Sequence, residues 1–494
     1  MQANAQFPLV KAAEQFIRRR WLFVAAVSTA VLLPCFWHKH IEAGDLGSHV
    51  YNAWLAQLIR HGRLPGLWMV PQWNNVAFDL LLSGFAKIFN WAWAERLAVS
   101  LCVLIFFWGV FALVSAAAGR PPMFLAPLIA VISYGWTFEQ GFMNFYLSLG
   151  LSFFALAILW RGRGRERIAA LVLVPPIVLA HPLGLTWLVG AAFYGLAMEK
   201  FRRYNFLLFA AATLLVVCIS VYVEHHFVVY PARHALYLYN GADQVVLFSR
   251  AYELVALALF LPVLLALAIE LSRRRSDVEV RQPANVLLQM YLILQLLVLA
   301  LPYGVLLPGY SAPISFLPHR LTTLSAVLIC GLLGLMQPRK WHLVTYAAGA
   351  AIFFGLLYRD TGIINSLEEQ SERLVSRLPL GQRVVFTIRD RGLRLFIEHF
   401  ADRSCVNHCF SYGNYEPSSR QFRIRAMPGN GVVMTDFAAV TRMENGQYQV
   451  TPEDPPLYEI YQCGQRGREL CVRSLSAGEK NDTPFPEKSP FAVR

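Results

Sequence analysis

The chain has 494 residues, of which 56% are hydrophobic and only 15% charged, against about 25% charged in an ordinary soluble domain. With a mean hydropathy of +0.43, that balance excludes a soluble globular protein for most of the length. The net charge is +13, but nucleic acid is excluded as its reason, because the basic residues gather in short clusters between apolar runs. These are Arg18 to Arg20; Arg161, Arg163, Arg165 and Arg167; Lys200, Arg202 and Arg203; Arg273 to Arg275 with Arg281; and Arg339 with Lys340. Loops on the cytoplasmic side of a membrane carry this bias.

Apolar stretches of roughly 17–25 residues, long enough to cross the hydrocarbon core, recur from Trp21 to Tyr358. They predict a polytopic α-helical membrane protein with about 11 spans, near residues 21–37, 96–118, 122–137, 139–160, 167–181, 183–198, 205–223, 249–271, 285–308, 319–336 and 340–358. If residues 1–20 are cytoplasmic, alternation returns every other basic cluster to the same side. Residues 38–95, 224–248, 309–318 and everything after 358 then face the other side, the periplasm if the membrane is a bacterial inner membrane. No small-residue cleavage site follows the first run, so no cleavable signal peptide is expected.

Directly after the first run, residues 41–54 read IEAGDLGSHVYNAW. Residues 48–60 repeat apolar side chains at helical spacing, with His49, Asn52, Gln57 and Arg60 on the other face. Such a helix is expected to lie on the membrane with its polar face toward water or a cleft. Asp45, or Ser48, stands where a helix cap belongs. A carboxylate shielded there would also have a raised pKa and serve as a base near neutral pH. His49, one turn on, is placed to hydrogen-bond Asp45 or a substrate. Residues 75–89, NVAFDLLLSGFAKIF, carry Asp79, Ser83 and Lys87 at four-residue spacing, a polar stripe on an apolar helix too short to span. Asp79 is the second candidate acid.

This layout resembles the GT-C superfamily of integral-membrane glycosyltransferases. The likeness rests on the acid after the first span in IEAGDLGSH, on the loop helix and arginine-bearing span of residues 64–98, and on GFMNFYLSLGLSFFALA at 141–157. It covers roughly residues 15–360 in layout. It implies sugar transfer from a polyprenyl-phosphate or polyprenyl-diphosphate donor to a lipid, glycan or protein acceptor on the periplasmic face, with Asp45 at the catalytic position and His49 beside it. The sequence departs from the D-x-D pattern of some members, because Gly47 stands where the second acid would be, so a divalent metal cofactor is not supported.

The donor's phosphate needs cations at the span ends on that side: Arg96, Arg250, His319 and Arg320. SFLPHRLTTLSA at 315–326 sets His319 and Arg320 just inside an apolar run, where an arginine needs a cavity or a partner. Its guanidinium matches phosphate geometry; the alternative is an ion pair within the bundle, with Glu224 or Asp243. His181-Pro182 reads as a turn. The histidines and tyrosines of residues 222–239 suit an aromatic loop facing acceptor or lipid better than a zinc site.

Residues 359–473 read as a soluble periplasmic α+β domain, and 474–494 as a disordered tail. A helix is expected at 366–378, a strand at 383–389, a helix at 393–400 and β-structure over 420–450. SYGNYEPSSRQFRIR at 411–425 is dense in Tyr, Asn, Ser and Arg, a composition that suits sugars or anions as well as ordinary loops. Cys405, Cys409, Cys463 and Cys471 suggest two disulfides in an oxidising compartment, paired between the 405/409 and 463/471 clusters. The rival is a four-thiolate metal site, whose usual spacing these cysteines fit poorly. A transporter or flippase of a lipid-linked glycan, and a non-catalytic envelope assembly protein, are the alternative functions. No inverted repeat supports transport, and eleven spans exceed what an anchor needs.

Overall fold

A computed structural model describes residues 8–232, 240–273, 278–337, 339–388, 397, 399–463 and 467–481. In chain order its helices are α1 (Pro8–Arg19), α2 (Trp21–Leu32), α3 (Leu46–Arg60), α4 (Ala77–Phe85), α5 (Trp91–Ala118), α6 (Ala126–Ser133), α7 (Trp136–Glu139), α8 (Met143–Arg161) and α9 (Arg165–Ala169). Next come α10 (Val174–Ala180), α11 (Pro182–Lys200), α12 (Asn205–His226), α13 (Arg250–Arg273), α14 (Val278–Ala300), α15 (Leu317–Gly334), α16 (Lys340–Val375), α17 (Tyr415–Ser419) and α18 (Phe437–Glu444). The strands are β1 (Leu67–Met69), β2 (Val228–Tyr230), β3 (Gly304–Leu306), β4 (Arg383–Thr387), β5 (Phe410–Ser411), β6 (Ile424–Ala426), β7 (Leu457–Cys463) and β8 (Glu469–Leu475).

Among the described residues, six helices are long and apolar enough to cross a membrane: Trp91–Ala118, Met143–Arg161, Arg202–His226, Val280–Ala300, Leu317–Gly334 and Lys340–Val375. This is a membrane-embedded helical protein, but the count stops short of eleven. The run at 21–37 stops as a helix at Leu32 and tightens into a 3-10 turn, Leu33–Cys35. The run at 122–137 breaks between α6 and α7, and that at 167–181 splits into α9, a 3-10 turn and α10, whose first turn holds prolines. Prolines suit a first turn but not a helix interior. Pro182–Lys200 and Arg250–Arg273 are continuous helices of 19 and 24 residues outside that group of six.

The six divide by burial. The apolar windows of α5, α8 and α15 are 67%, 72% and 78% buried, whereas those of α12, α14 and α16 are 11%, 22% and 28%. The first three form the packed interior, where Phe106 of α5 stacks on Tyr146 of α8 at 4.2 Å. The second three present their apolar side chains outward, as helices facing lipid do.

The expected boundary at 358/359 falls inside α16. That helix has 36 residues, about 54 Å at 1.5 Å per residue, so it outruns a hydrocarbon core of about 30 Å. The helix expected at 366–378 is its continuation. Beyond it, a four-stranded sheet runs in the order β5-β4-β7-β8, parallel between β5, β4 and β7 and antiparallel between β7 and β8. This part is not a separate body. Strand β1, from the loop between α2 and α5, pairs antiparallel with β6, and Phe400, Ile424, Val432 and Leu470 join the same hydrophobic core as the helices.

Three expectations for the tail need correction. Residues 420–450 contain only the short β6 and then a helix, α18, which Asp436 caps by accepting from the Ala438 and Ala439 N–H groups. Residues 474–481 are ordered: β8 runs to Leu475, and buried Asn481 donates to the Met443 carbonyl at 2.7 Å. Residues 482–494 and most of the helix expected at 393–400 lie outside the described residues. The disulfides form within the clusters, Cys405–Cys409 and Cys463–Cys471. A tight turn brings the first pair's Cα atoms to 4.5 Å, and the β7–β8 hairpin brings the second pair's to 5.8 Å.

Candidate functional site

Asp45 occupies the N-cap position of α3, but its side chain does not cap. Two glycines fix the turn that carries it. A Cβ at Gly141, which adopts φ +75°, would lie 2.4 Å from the Asp45 nitrogen; one at Gly47 would lie 2.5 Å from the carbonyl oxygens of His399 and Phe400. The Gly44 and Asp45 N–H groups donate to the carbonyls of Glu139 and Gln140 at 2.8 and 3.0 Å. The turn is thus clamped between the start of α8 and the 3-10 turn Phe400–Cys405. Helix α3 does not lie on a membrane surface with its polar face in water: residues 46 to 56 are all buried, because the tail closes over them.

Among the described residues nothing hydrogen-bonds the Asp45 carboxylate, and Asp45 is only half-buried. Burial lifts its pKa above the ordinary carboxylate range, against His399, His49 and Arg320, which pull it down.

His49 does not bond Asp45. Its Nδ1 meets Asp79 Oδ1 at 2.9 Å, and Asn144 donates to Asp79 Oδ2 at 3.3 Å. Burial would lower the imidazole, but the charge and hydrogen bond of Asp79 outweigh it and push His49 up to about 9. Asp79 moves the other way: burial favours its neutral form, and His49 overcomes this and holds it below the usual range. The two form a buried ion pair. Asn144 also accepts from the Phe78 N–H at 2.8 Å, so it locks α4 to α8. In GFMNF, then, Gly141 admits the Asp45 turn, Asn144 orients Asp79, and Phe142 and Phe145 carry Arg320.

The Arg320 guanidinium lies 3.7 Å from the Phe142 ring centroid and 5.6 Å from that of Phe145, and its Nε donates to the Ser315 carbonyl at 3.2 Å. Neither expected ion-pair partner reaches it. Glu224 is exposed, and Asp243 instead accepts from Thr322 Oγ1 at 2.6 Å and the Gly241 N–H at 2.9 Å. Asp45 is the acid whose charge bears on Arg320. His319 stacks on Trp136 at 5.0 Å. Arg96 is committed elsewhere, donating to the carbonyls of His38 and Lys39 at 3.1 and 2.8 Å. Arg250 is exposed at the start of α13. His181 caps α11 by accepting from the Leu183 N–H at 3.1 Å. Residues 233–239 of the histidine-rich loop lie outside the described residues.

Sequence reasoning missed the tail's share of the site. Asn414 and Asn52 exchange amide hydrogen bonds at 2.7 and 3.2 Å, and the Ser411 N–H donates to the Tyr51 hydroxyl at 3.1 Å. This seats SYGNYEPSSRQFRIR against α3. His399, its ring 4.5 Å from that of Tyr415, would be lowered by burial, but Asp402, Glu444 and Asp45 push it up to about 10. Glu416 is raised to about 8, by burial first and then by the charge of Asp79. Arg423 is buried, acts on both Asp79 and Glu416, and has no hydrogen-bond partner for its Nη2 among the described residues. The composition of 411–425 pointed to this segment; nothing local singled out Glu416 or Arg423.

Behind the site sits a second charge cluster. Arg403 makes a two-pronged contact with Glu368, donates to Glu95 Oε1 at 2.6 Å and to the Ile41 carbonyl at 2.9 Å, and reaches Glu42 Oε2 at 3.5 Å. Asn365 donates to Glu42 Oε1 at 3.0 Å. This cluster joins the loop before Asp45, the start of α5, the extended part of α16 and the disulfide-closed turn. Among the described residues no group of three His, Cys, Asp or Glu is arranged to hold a metal ion.

No protein-family model matches the chain, and no curated protein or solved structure matches it either.

Proposed function

We propose that this protein is a membrane glycosyltransferase. It moves a sugar from a polyprenyl-phosphate-linked donor to a hydroxyl or amine acceptor on the periplasmic face of a bacterial inner membrane. One observation carries the reading: a carboxylate lifted by burial, free of hydrogen bonds from the described residues, at a turn clamped on both sides and acted on by Arg320. Such a group is a base held in readiness. Asp45 takes the acceptor's proton as the acceptor oxygen or nitrogen bonds to the anomeric carbon. The bond from that carbon to the phosphate oxygen breaks, and the polyprenyl phosphate leaves with the electron pair. On this reading Arg320, whose charge acts on Asp45, and the unpartnered Nη2 of Arg423 take up its negative charge. His49, neutralised by Asp79 in a buried ion pair, is a support rather than a second base.

The test is transfer from radiolabelled polyprenyl-phosphate sugars by the purified protein and its Asp45→Asn variant. Asparagine serves an N-cap about as well as aspartate, so folding and donor binding should persist while the rate drops by roughly 10²–10⁴. Transfer at the wild-type rate would remove Asp45 from the chemistry. Movement of a lipid-linked glycan without any transfer would replace the enzyme by a flippase.

A further inference from the structure

The basic clusters do more than orient the chain. Several converge on a cavity of about 760 Å³ at the end of the bundle opposite Asp45. Two helices fix that placement. Glu95, near the start of α5, lies in the Arg403 cluster, whereas Gly119, just past its last residue, lines the cavity; at 1.5 Å per residue the helix between them is about 36 Å long. Asn144, at the start of α8, bonds Asp79, and Arg161, the last residue of α8, lines the cavity.

The lining changes in one sense along three of its walls. It passes from Leu156 to Arg161 along α8, from Leu196 to Glu199 along α11, and from Val286 back to Arg281 along α14. Each wall is apolar toward the middle of the bundle and polar at the mouth. The one acid among the lining residues, Glu199, is taken by Arg167 at 2.7 Å. Arg202 and Arg281 have no acidic partner among the described residues, and Arg161 uses its Nε on the Ala116 carbonyl. The N-terminus of α12, whose first residue Asn205 lines the same mouth, adds a positive dipole end.

We propose that this cavity binds one anionic phospholipid drawn from the surrounding leaflet, with its phosphate among Arg161, Arg202 and Arg281 and an acyl chain along the apolar walls. A basic pocket between spanning helices suits such a headgroup. A soluble phosphate shares the headgroup chemistry but leaves the apolar walls without an occupant. The site is independent of the transfer reaction.

The test uses the full-length protein in detergent, with bound lipid counted by native mass spectrometry during titration with phosphatidylglycerol, phosphatidylcholine or polyprenyl phosphate. One phosphatidylglycerol should bind in preference to phosphatidylcholine. Arg202→Gln with Arg281→Gln should weaken it by roughly tenfold to thirtyfold, from about 1 kcal/mol per arginine. Arg165→Gln, outside the cavity, should leave it unchanged. Where the double variant fails to fold, each single variant serves, with a smaller loss. Equal binding of the two phospholipids, or binding indifferent to these arginines, overturns the proposal. So does displacement of the lipid by millimolar glycerol phosphate, which marks a soluble-anion site, or preference for polyprenyl phosphate, which marks a substrate site.

Discussion

Two clusters of charge, one around Arg403 and one around Asp45, adjoin each other and are built on opposite plans. Around Arg403 every donor meets a carboxylate or carbonyl, and Glu42 is held further by Asn365. Around Asp45 the carboxylate accepts no hydrogen bond from the described residues, and Arg423 keeps a buried donor without a partner. Burying polar groups without partners costs stability. The Arg403 cluster fastens the tail to the helices, and the neighbouring Asp45 turn is left with polar groups unmatched among the described residues.

The sharpest way to break this contrast is Arg403→Met. It strands the buried Glu95 and Glu368 around one site, and losing one partner of a buried ionic group costs about 3–5 kcal/mol. Thermal unfolding in detergent should show a large drop or no folded protein, and a loss below about 1 kcal/mol would end the fastening interpretation. Asp45→Asn should do the reverse: it changes stability by no more than about 1 kcal/mol, since no bond is removed, while transfer collapses.

The pH dependence of the His49–Asp79 pair gives a third measurement. The histidine's pKa is raised by folding, from an ordinary 6.5 to about 9, so its stabilisation is complete below about pH 6.5 and lost as pH climbs through 9. The stability advantage of wild type over His49→Gln should be about 1.5–3 kcal/mol at pH 6, the worth of a hydrogen bond to a charged group, and shrink by pH 10. An advantage that grows with pH would mean the pair is not ionised as described. The smallest effect belongs to Lys39 and Glu372, which meet at the exposed edge of the Arg403 cluster. Lys39→Ala should cost less than about 1 kcal/mol, as exposed pairs do. A cost matching that of Arg403→Met would show the edge to be as structural as the centre.

Asp45, His49 and Asp79 were legible because each sits on a locally readable feature, a turn after an apolar run or the polar stripe of a short helix. Their partners were not. Nothing in IEAGDLGSH shows that Gly47 is needed for His399 and Phe400 to approach, and nothing near Glu95 shows that Arg403, 308 positions away, completes it. Arg320 was expected to pair with Glu224 or Asp243, the acids nearest in expectation, whereas the fold sets its guanidinium against Phe142 and Phe145. The pairing of the cysteines was misread because clusters far apart in sequence looked complementary, whereas a turn and a hairpin had already brought each cysteine to its neighbour.

By itself the sequence determined that this is a helical membrane protein, where its long apolar helices run, and that an acid-bearing turn precedes a helix, whose burial it did not foresee. These follow from hydrophobic content and from the 3.6-residue period, both of which act over a few turns of chain. The tertiary structure alone decided that α16 runs on past its apolar part, that the tail seals the loop at β1 and β6, and that His399, Glu416 and Arg423 gather near Asp45. The reason is physical. A buried charge is stabilised by whatever partner space brings to it, and the desolvation and Coulomb energies that select the partner depend on distance through the fold, not on separation along the chain.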